Sequence, residues 1–487
     1  MHSGGGSKGM RGILIVLLAV LVLGLGGLGL VRCEGSPPSV EASQSLVIGR
    51  EPRAIAIGVA DEGSGLRDVS VSLLAPAGEK PLAAREFPGG WLRGSGVARE
   101  SIEVPLDAKS LGLPDGRVAL RVVARDWSWR TLLGGGRTVA EIPLSIDTKP
   151  PRVSVENTLT YLERGGSGLA VYQVSEDTTR DGVMVGELFF RGHPFPGETA
   201  GRHLAFFAIP QDAPSDPPIR VLAEDAAGNR TLVGWGTHFK ERRFPDVTLN
   251  LSPQFLENKV TELASARGID ATDRIAAFQR INSTGRSEDE QKIREITSKS
   301  APQKLWDGAF EQLRNSKVTS QFAEKRSYFV EGQQVSQATH YGFDLATTMN
   351  SPVTASNSGK VVWADDLGIY GGSVILDHGF DLFTLYGHLS RIDVKPGDEV
   401  KKAQNIGLSG STGLAGGDHL HFATLLGGVY VDPVEWWDPK WVREKVDALL
   451  VPANGPASVA TEPGSPASVS APPAGAPAAG APAKPGR

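Results

Sequence analysis

The sequence has almost no cysteine, since Cys33 is the only one among its 487 residues. A single cysteine excludes an internal disulfide framework and a thiolate-rich metal site. No strongly basic run is present and the net charge is −5, so nucleic acid is not expected as a partner. The motif H-E-x-x-H is also absent, which excludes a helix-borne metallopeptidase whose base is a glutamate.

One long hydrophobic run is present, at residues 12–31. About 20 residues at ~1.5 Å each give about 30 Å, the thickness of the hydrocarbon core of a bilayer. Lys8 and Arg11 precede the run, which favours a cytoplasmic N-terminus at 1–11 and everything after the run outside the cytoplasm. The sequence therefore predicts a single-pass transmembrane anchor at 12–31.

Two alternatives to an uncleaved anchor stay open. A cleaved signal peptide normally has a shorter apolar region and an A-x-A-like site, which is absent here. Cys33 suggests a lipoprotein, but Val31 and Arg32 match a lipidation signal poorly because a small residue is expected before the cysteine. The sequence does not decide whether the helix is cleaved or Cys33 lipidated.

The length predicts about three domains after this segment. Short runs of alternating apolar residues, bounded by Gly, Pro and Asp, indicate half-buried antiparallel strands. The strand L-R-V-V-A-R-D at 120–126 has a near copy, I-R-V-L-A-E-D, about a hundred residues later at 219–225. We therefore predict two tandem immunoglobulin-like β-sandwiches, at 45–148 and 149–245. Their histidines are scattered and are predicted to be structural: His193, His203 and His238.

The period becomes helical from Ser252, which precedes Pro253 as a helix N-cap. Ser287 and Glu290 have the spacing of a second N-terminal capping box. The apolar pattern then continues through Leu305, Trp306, Phe310 and Leu313. These signals predict a helical module at 252–316, which serves as a spacer or, alternatively, as a lid or partner surface.

The end of the chain has two different compositions. A short helix is predicted at 442–450. Residues 451–487 are rich in Pro, Ala, Gly and Ser with almost no aromatics, so they are predicted to form a disordered tail.

Histidine is concentrated between these regions, because five of the nine histidines fall within 340–421. His340 begins H-Y-G-F-D, which ends at Asp344, and His419 and His421 lie in H-L-H-F. Residues two apart on a strand point to one face. Imidazole and carboxylate are ligands that Zn²⁺ accepts, and a catalytic zinc takes three of them plus one water. This window predicts a metal site with acid–base groups beside it.

The motifs around these residues resemble the lysostaphin-type (LytM-type) zinc endopeptidases, which cut the peptides of bacterial cell walls. The resemblance spans about 320–438 and follows the order of the family. Its further motifs are S-P-V-x-A (351–355), G-K-V-V-W-A (359–364), G-G-S-V-I-L-D-H-G (371–379), L-Y-G-H-L-S (385–390), V-K-P-G-D-E-V (394–400), I-G-L-S-G-S-T-G (406–413) and D-H-L-H-F (418–422). It implies a mainly-β zinc metallopeptidase domain, at 318–440.

The resemblance also implies roles for individual residues. His340, Asp344 and His421 are implied to bind one Zn²⁺ ion, with His388 and His419 beside it as the catalytic residues. His419 is favoured as the base, although the roles of the two histidines are interchangeable at this stage.

Two neighbouring residues keep alternative interpretations. His378 is either structural or part of the site. Asp418 either orients an imidazole or is a turn carboxylate after Gly416 and Gly417.

The sequence thus predicts a multidomain, membrane-anchored zinc endopeptidase that cleaves peptide cross-links of peptidoglycan in the bacterial envelope. Its catalytic domain is expected in the periplasm, attached to the inner membrane. An envelope protein is a possible partner of the Ig-like modules. The alternative is a non-enzymatic adaptor that activates another cell-wall hydrolase; such regulators typically lack metal ligands, and none is missing here.

Overall fold

The computed structural model describes residues 7–33, 35–41, 46–129, 131, 134–198 and 201–452. The tail predicted at 451–487 lies outside these residues from 453 onward. A helix spans Ser7–Arg32. Over the described residues, no helix is long and apolar enough to cross a membrane. The transmembrane anchor predicted at 12–31 is therefore not confirmed.

The first β module consists of two main sheets over one apolar core. A three-stranded sheet and a five-stranded sheet contribute this core, whose buried residues all lie within 48–146. The predicted strand at 120–126 is the end of the interior strand Gly116–Asp126. The strands are Ser39–Glu41, Leu46–Ile48, Arg53–Ala60, Leu66–Ala75, Gly78–Glu86, Gly89–Gly90, Gly94–Ser95, Arg99–Leu106, Gly116–Asp126 and Arg137–Ile146.

The second β module has three sheets, and its near copy Ile219–Asp225 is likewise an interior strand. The strands are Val153–Val155, Leu159–Glu163, Ser167–Val174, Thr178–Val185, Leu188–Arg191, His193–Pro194, Arg202–Ala208, Ile219–Asp225, Arg230–Val233 and Gly236–Lys240. Its core is continuous with apolar residues from 306–446. Immunoglobulin-like character is not confirmed for either module.

The helical segment is shorter than predicted. Its helical stretches are Pro253–Phe255, Leu256–Val260, Thr261–Ala266, Arg274–Arg280, Ile281–Gly285 and Arg286–Ile296, of which Leu256–Val260 and Ile281–Gly285 are π-helical. Ser252 is an N-cap, because its hydroxyl accepts the Phe255 N–H at 3.1 Å.

Two predictions within this segment are wrong. Ser287 lies inside a continuous helical run, 274–296, so it caps nothing. Residues 305–313 are not helical. Trp306 and Phe310 are buried against Trp436 from an irregular path, because tertiary packing uses their apolar side chains without requiring a helix.

The region of the predicted peptidase domain, residues 317–447, which is called the catalytic region below, is built on an antiparallel sheet of eight strands. In spatial order seven of them are Lys317–Ser320, Phe343–Ala346, Leu420–Leu426, Leu382–Gly387, Gly372–Gly379, Gly359–Asp366 and Glu399–Val400, and Val429–Val431 also pairs with Leu420–Leu426. A second sheet contains Pro352–Thr354, Asn405–Leu408 and Arg391–Ile392. A third joins Asp246–Asn250, Glu324–Val330 and Gln333–His340. Short helical turns follow at Gly368–Tyr370, Pro433–Trp437, Pro439–Trp441 and Val442–Asp447, the last within the helix predicted at 442–450.

Candidate metal centre and active site

Strand register brings the three predicted metal ligands together. Asp344 lies directly opposite His421 on the neighbouring strand. His340 ends the strand that precedes Asp344 along the chain. A Cβ at Gly342, between these two residues, would lie 2.8 Å from the ring of His421, so the turn needs glycine there. The H-Y-G-F-D motif thus brings His340 and Asp344 into contact with His421 of the neighbouring strand.

The three ligand-type atoms converge at one buried point. Asp344 Oδ1 lies 2.9 Å from His340 Nε2 and 3.1 Å from His421 Nδ1, and the two nitrogens are 3.0 Å apart. Nδ1–H of His340 donates to the Gln321 carbonyl at 2.9 Å, which leaves Nε2 unprotonated toward the other two atoms. Two imidazoles and one carboxylate in this arrangement fit a zinc ion.

His388 and His419 lie beside this trio. Their rings are 4.8 Å apart, and His419 Nε2 is 3.5 Å from Asp344 Oδ1. Each ring is oriented through Nδ1–H, which donates at 2.8 Å to the Thr412 carbonyl from His388 and to the Gly417 carbonyl from His419. Both side chains therefore keep an unprotonated Nε2 when neutral, as an acid–base group requires.

The backbone of His388 has φ +63°, in the left-handed region that residues other than glycine rarely adopt. Its N–H donates to the Tyr370 carbonyl at 2.7 Å, and a packed turn therefore fixes it. Gly387, just before it, lies opposite His421 on the adjacent strand.

Burial and neighbouring charges shift the pKa values of the clustered histidines and of Asp344 in different directions. Burial raises the pKa of Asp344, but the charge of protonated His340 and hydrogen bonds from His340, His419 and His421 outweigh burial and hold this pKa well below its usual range. Burial lowers the pKa of His421 to about 4. Burial, with the neighbouring charges of His419 and His421, holds the pKa of His388 well below its usual value. For His419, burial lowers the pKa, but the contact with Asp344 outweighs it and the net change is a raised pKa.

Two residues with open interpretations turn out to be structural. His378 is fully buried, with Nδ1–H donating to the Ser358 carbonyl and Nε2 accepting from the Thr384 hydroxyl, both at 2.7 Å. Asp418 accepts from the Ser409 hydroxyl at 2.6 Å and from the Asn350 N–H at 2.9 Å, as a turn carboxylate does.

No sequence motif indicates a role for Arg326. Its Nη2 donates at 2.9 Å to Asp344 Oδ2, the oxygen that faces away from the two histidine nitrogens. Glu324 lies 3.4 Å from the same guanidinium. An arginine on an alternating strand is normally solvent-exposed, so only the tertiary contact reveals its place behind the centre.

The centre opens into a cleft of about 360 Å³. Leu414, Ala415 and Gly416 line one side of it. Phe255, Phe278 and Arg286 from the helical segment also line it. The helical segment therefore contributes to the cleft, beyond the role of a spacer.

The sequence profile of Peptidase family M23 matches residues 338–433. Curated relatives include the peptidoglycan DD-endopeptidase ShyB of Vibrio cholerae, 37% identical over 24% of this chain and 27% of that protein. ShyA of the same organism, also a peptidoglycan DD-endopeptidase, is 38% identical over 23% of this chain and 25% of its own. The matches thus cover about a quarter of these relatives.

Solved structures also show similarity to parts of this chain. A putative peptidase M23 from Pseudomonas aeruginosa has 22% identity and a TM-score of 0.34, over 56% of this chain and 94% of that chain. The catalytic domain of lysostaphin from Staphylococcus simulans has 31% identity and a TM-score of 0.23, over 27% of this chain and 98% of that chain. The family resemblance predicted from the motifs is confirmed by the profile match.

Proposed function

We propose that this chain, whose residues 338–433 form a zinc metallopeptidase domain of Peptidase family M23, cleaves peptide cross-links of bacterial peptidoglycan. One observation carries the proposal. The trio His340, Asp344 and His421 and the pair His388 and His419 all line one cleft.

The trio is proposed to hold the metal, and Arg326 to hold the outer oxygen of Asp344. When bound, a zinc ion polarises the scissile carbonyl and lowers the pKa of water toward ~7. The ion pair fixes the orientation of the carboxylate, so that Oδ1 stays directed at the two histidine nitrogens.

His388 and His419 are proposed to handle the protons of the reaction. One accepts a proton from the attacking water, and the other donates to the oxyanion or to the leaving amine. His419 is favoured as the base because it contacts Asp344. The roles can be exchanged, since both rings are held in the same tautomer by a carbonyl.

The substrate class is proposed from the relatives, two of which are named peptidoglycan DD-endopeptidases. This chain would then work in the cell envelope on the same polymer. The membrane attachment predicted at 12–31 stays a prediction, and sequencing the mature N-terminus tests it. The adaptor alternative is not favoured, because no ligand-type or acid–base residue is missing from the cleft.

The test is digestion of purified peptidoglycan by the full chain, with and without a chelator, with fragments identified by mass. Loss of cross-linked fragments, blocked by the chelator and restored by zinc, supports the proposal. An intact cross-link profile with zinc-loaded protein contradicts it.

A further inference from the structure

Part of the cleft wall comes from residues that precede the family match. The helical segment contributes Phe255, Phe278 and Arg286, and the strand Glu324–Val330 contributes Arg326. Two guanidinium groups thus line the same cleft as the candidate metal centre. The two groups differ in what they bind.

Arg326 is fully engaged by acidic partners. It pairs with Asp344 at 2.9 Å and with Glu324 at 3.4 Å. Its charge is neutralised inside the protein, so it is not free to bind an anionic substrate.

Arg286 makes no salt bridge among the described residues, although the charge of the nearby Glu290 acts on it. Its Nη2 donates to the neutral amide oxygen of Asn282 at 2.8 Å, and Asn282 is held in turn by the Ser336 hydroxyl at 2.9 Å. Its buried Nε finds no acceptor among the described residues. Glu290, one turn further along the helix, is bound by the Tyr370 hydroxyl at 2.6 Å.

An oriented guanidinium that donates to a neutral amide and makes no salt bridge has a clear chemical complement. It carries five N–H donors in a planar fork, and a carboxylate can take two of them at once. Lysine lacks this fork, so an arginine here favours a planar anion.

We propose that Arg286 binds a carboxylate of the peptide substrate and thereby selects peptides that carry a free carboxylate near the scissile amide. The inference rests on the proposed function, because the cleft must first accept a peptide. It assigns a specificity role to the helical segment, in a part of the chain outside the family match.

The experiment compares cross-linked peptidoglycan fragments that have free carboxylates with the same fragments after carbodiimide amidation. For the full-length, zinc-loaded parent, amidation should raise KM about 10- to 100-fold, the range for a lost hydrogen bond to a charged group. Arg286→Gln should raise KM on the free fragments by a similar factor and make amidation nearly irrelevant. The value of kcat should change less than KM, because the contact exists before the transition state.

Arg280→Gln is the matched control, since Arg280 lies on the same helical run, is exposed and does not line the cleft. It should behave as the parent. Circular dichroism checks that each variant is folded. If Arg286→Gln is unfolded, Arg286→Lys replaces it, because lysine keeps the positive charge. Arg286→Lys is expected to keep part of the preference for fragments with free carboxylates.

The outcomes separate the two proposals. If the parent cleaves neither fragment, the proposed function fails. If it cleaves both with equal KM, or if Arg286→Gln keeps the carboxylate preference, the role of Arg286 is wrong while the function stands.

Discussion

The two β modules have similar strands but different relations to the rest of the chain. The core of the first is closed, because every buried residue in it comes from 48–146. The core of the second continues into Phe380 and Trp436, from the catalytic region. Two similar strand sequences thus belong to different kinds of core. The first core is confined to its own module, whereas the second is shared with the catalytic region.

The difference is visible in burial along the strands. Strand Arg99–Leu106 of the first module alternates buried and exposed residues from Ile102 onward, as expected for a sheet with one solvent-exposed face. Strand Arg202–Ala208 is buried at five consecutive positions, 204–208. Its run L-A-F-F-A is apolar on both faces, so both faces require cover. A continuous apolar run is therefore the sequence signal for a shared core.

The largest effect should come from removing each module in turn. A fragment of residues 250–450 would expose Phe380, Trp436 and their apolar neighbours, so we expect it to lose cooperative thermal unfolding. A fragment starting at 149 should keep the melting transition of the catalytic region. Calorimetry checks both. Equal melting of the 250–450 fragment and the full chain would show that the shared core is dispensable.

A single substitution should sharpen the same contrast. Phe206 packs its ring 5.8 Å from Trp306 and 5.9 Å from Trp436, so Phe206→Ala should destabilise the catalytic region by about 3–5 kcal/mol. Leu120→Ala, in the closed core, should cost about 2–5 kcal/mol within the first module alone. Urea unfolding followed by tryptophan fluorescence and by zinc release distinguishes the two. If Leu120→Ala released zinc at a lower urea concentration than the parent, the core of the first module would not be independent of the catalytic region.

A smaller effect is expected from Glu435, a half-buried carboxyl of the catalytic region that accepts the Ser167 N–H of the second module at 2.6 Å. Burial raises its pKa to about 8, and the charges of Asp432 and Glu163 add to this rise. The folded state therefore retains a proton that the unfolded state releases above its ordinary value of 4.5. Its contribution to stability is complete below that value and is lost as the pH rises through about 8.

Glu435→Gln should remove this pH dependence, since an amide does not titrate. Relative to the parent, the variant should gain stability between pH 5 and pH 9, measured by urea unfolding at both values. A constant difference between the two proteins across this range would show that Glu435 is not protonated in the native state.

The candidate site was more predictable than the fold around it. His340, Asp344 and His421 lie in motifs whose resemblance to the lysostaphin-type endopeptidases implied the ligand set, and strand pairing places Asp344 opposite His421. Arg286 and Arg326 lie in none of the motifs that carried the resemblance, so only the tertiary contacts place them at the cleft.

The helical boundary was missed for a related reason. The apolar side chains of residues 305–313 satisfy a helical period, yet they pack without a helix because neighbouring elements supply their partners. The capping pattern at Ser287 failed because the helix had already begun at Arg274. Local signals identify what a residue can do, whereas long-range packing decides which of these options is used.

The most direct test of the central claim compares zinc content with peptidoglycan digestion in three full-length variants. His421→Ala should lose both metal and activity, because only two protein ligands remain. His419→Ala should keep zinc and lose about 10²- to 10⁴-fold in rate, as expected for an acid–base group. His378→Ala, away from the cleft, should keep zinc and most of the rate if it remains folded. Retention of stoichiometric zinc by His421→Ala, with loss of zinc from His419→Ala, would contradict the assignment of ligand and catalyst.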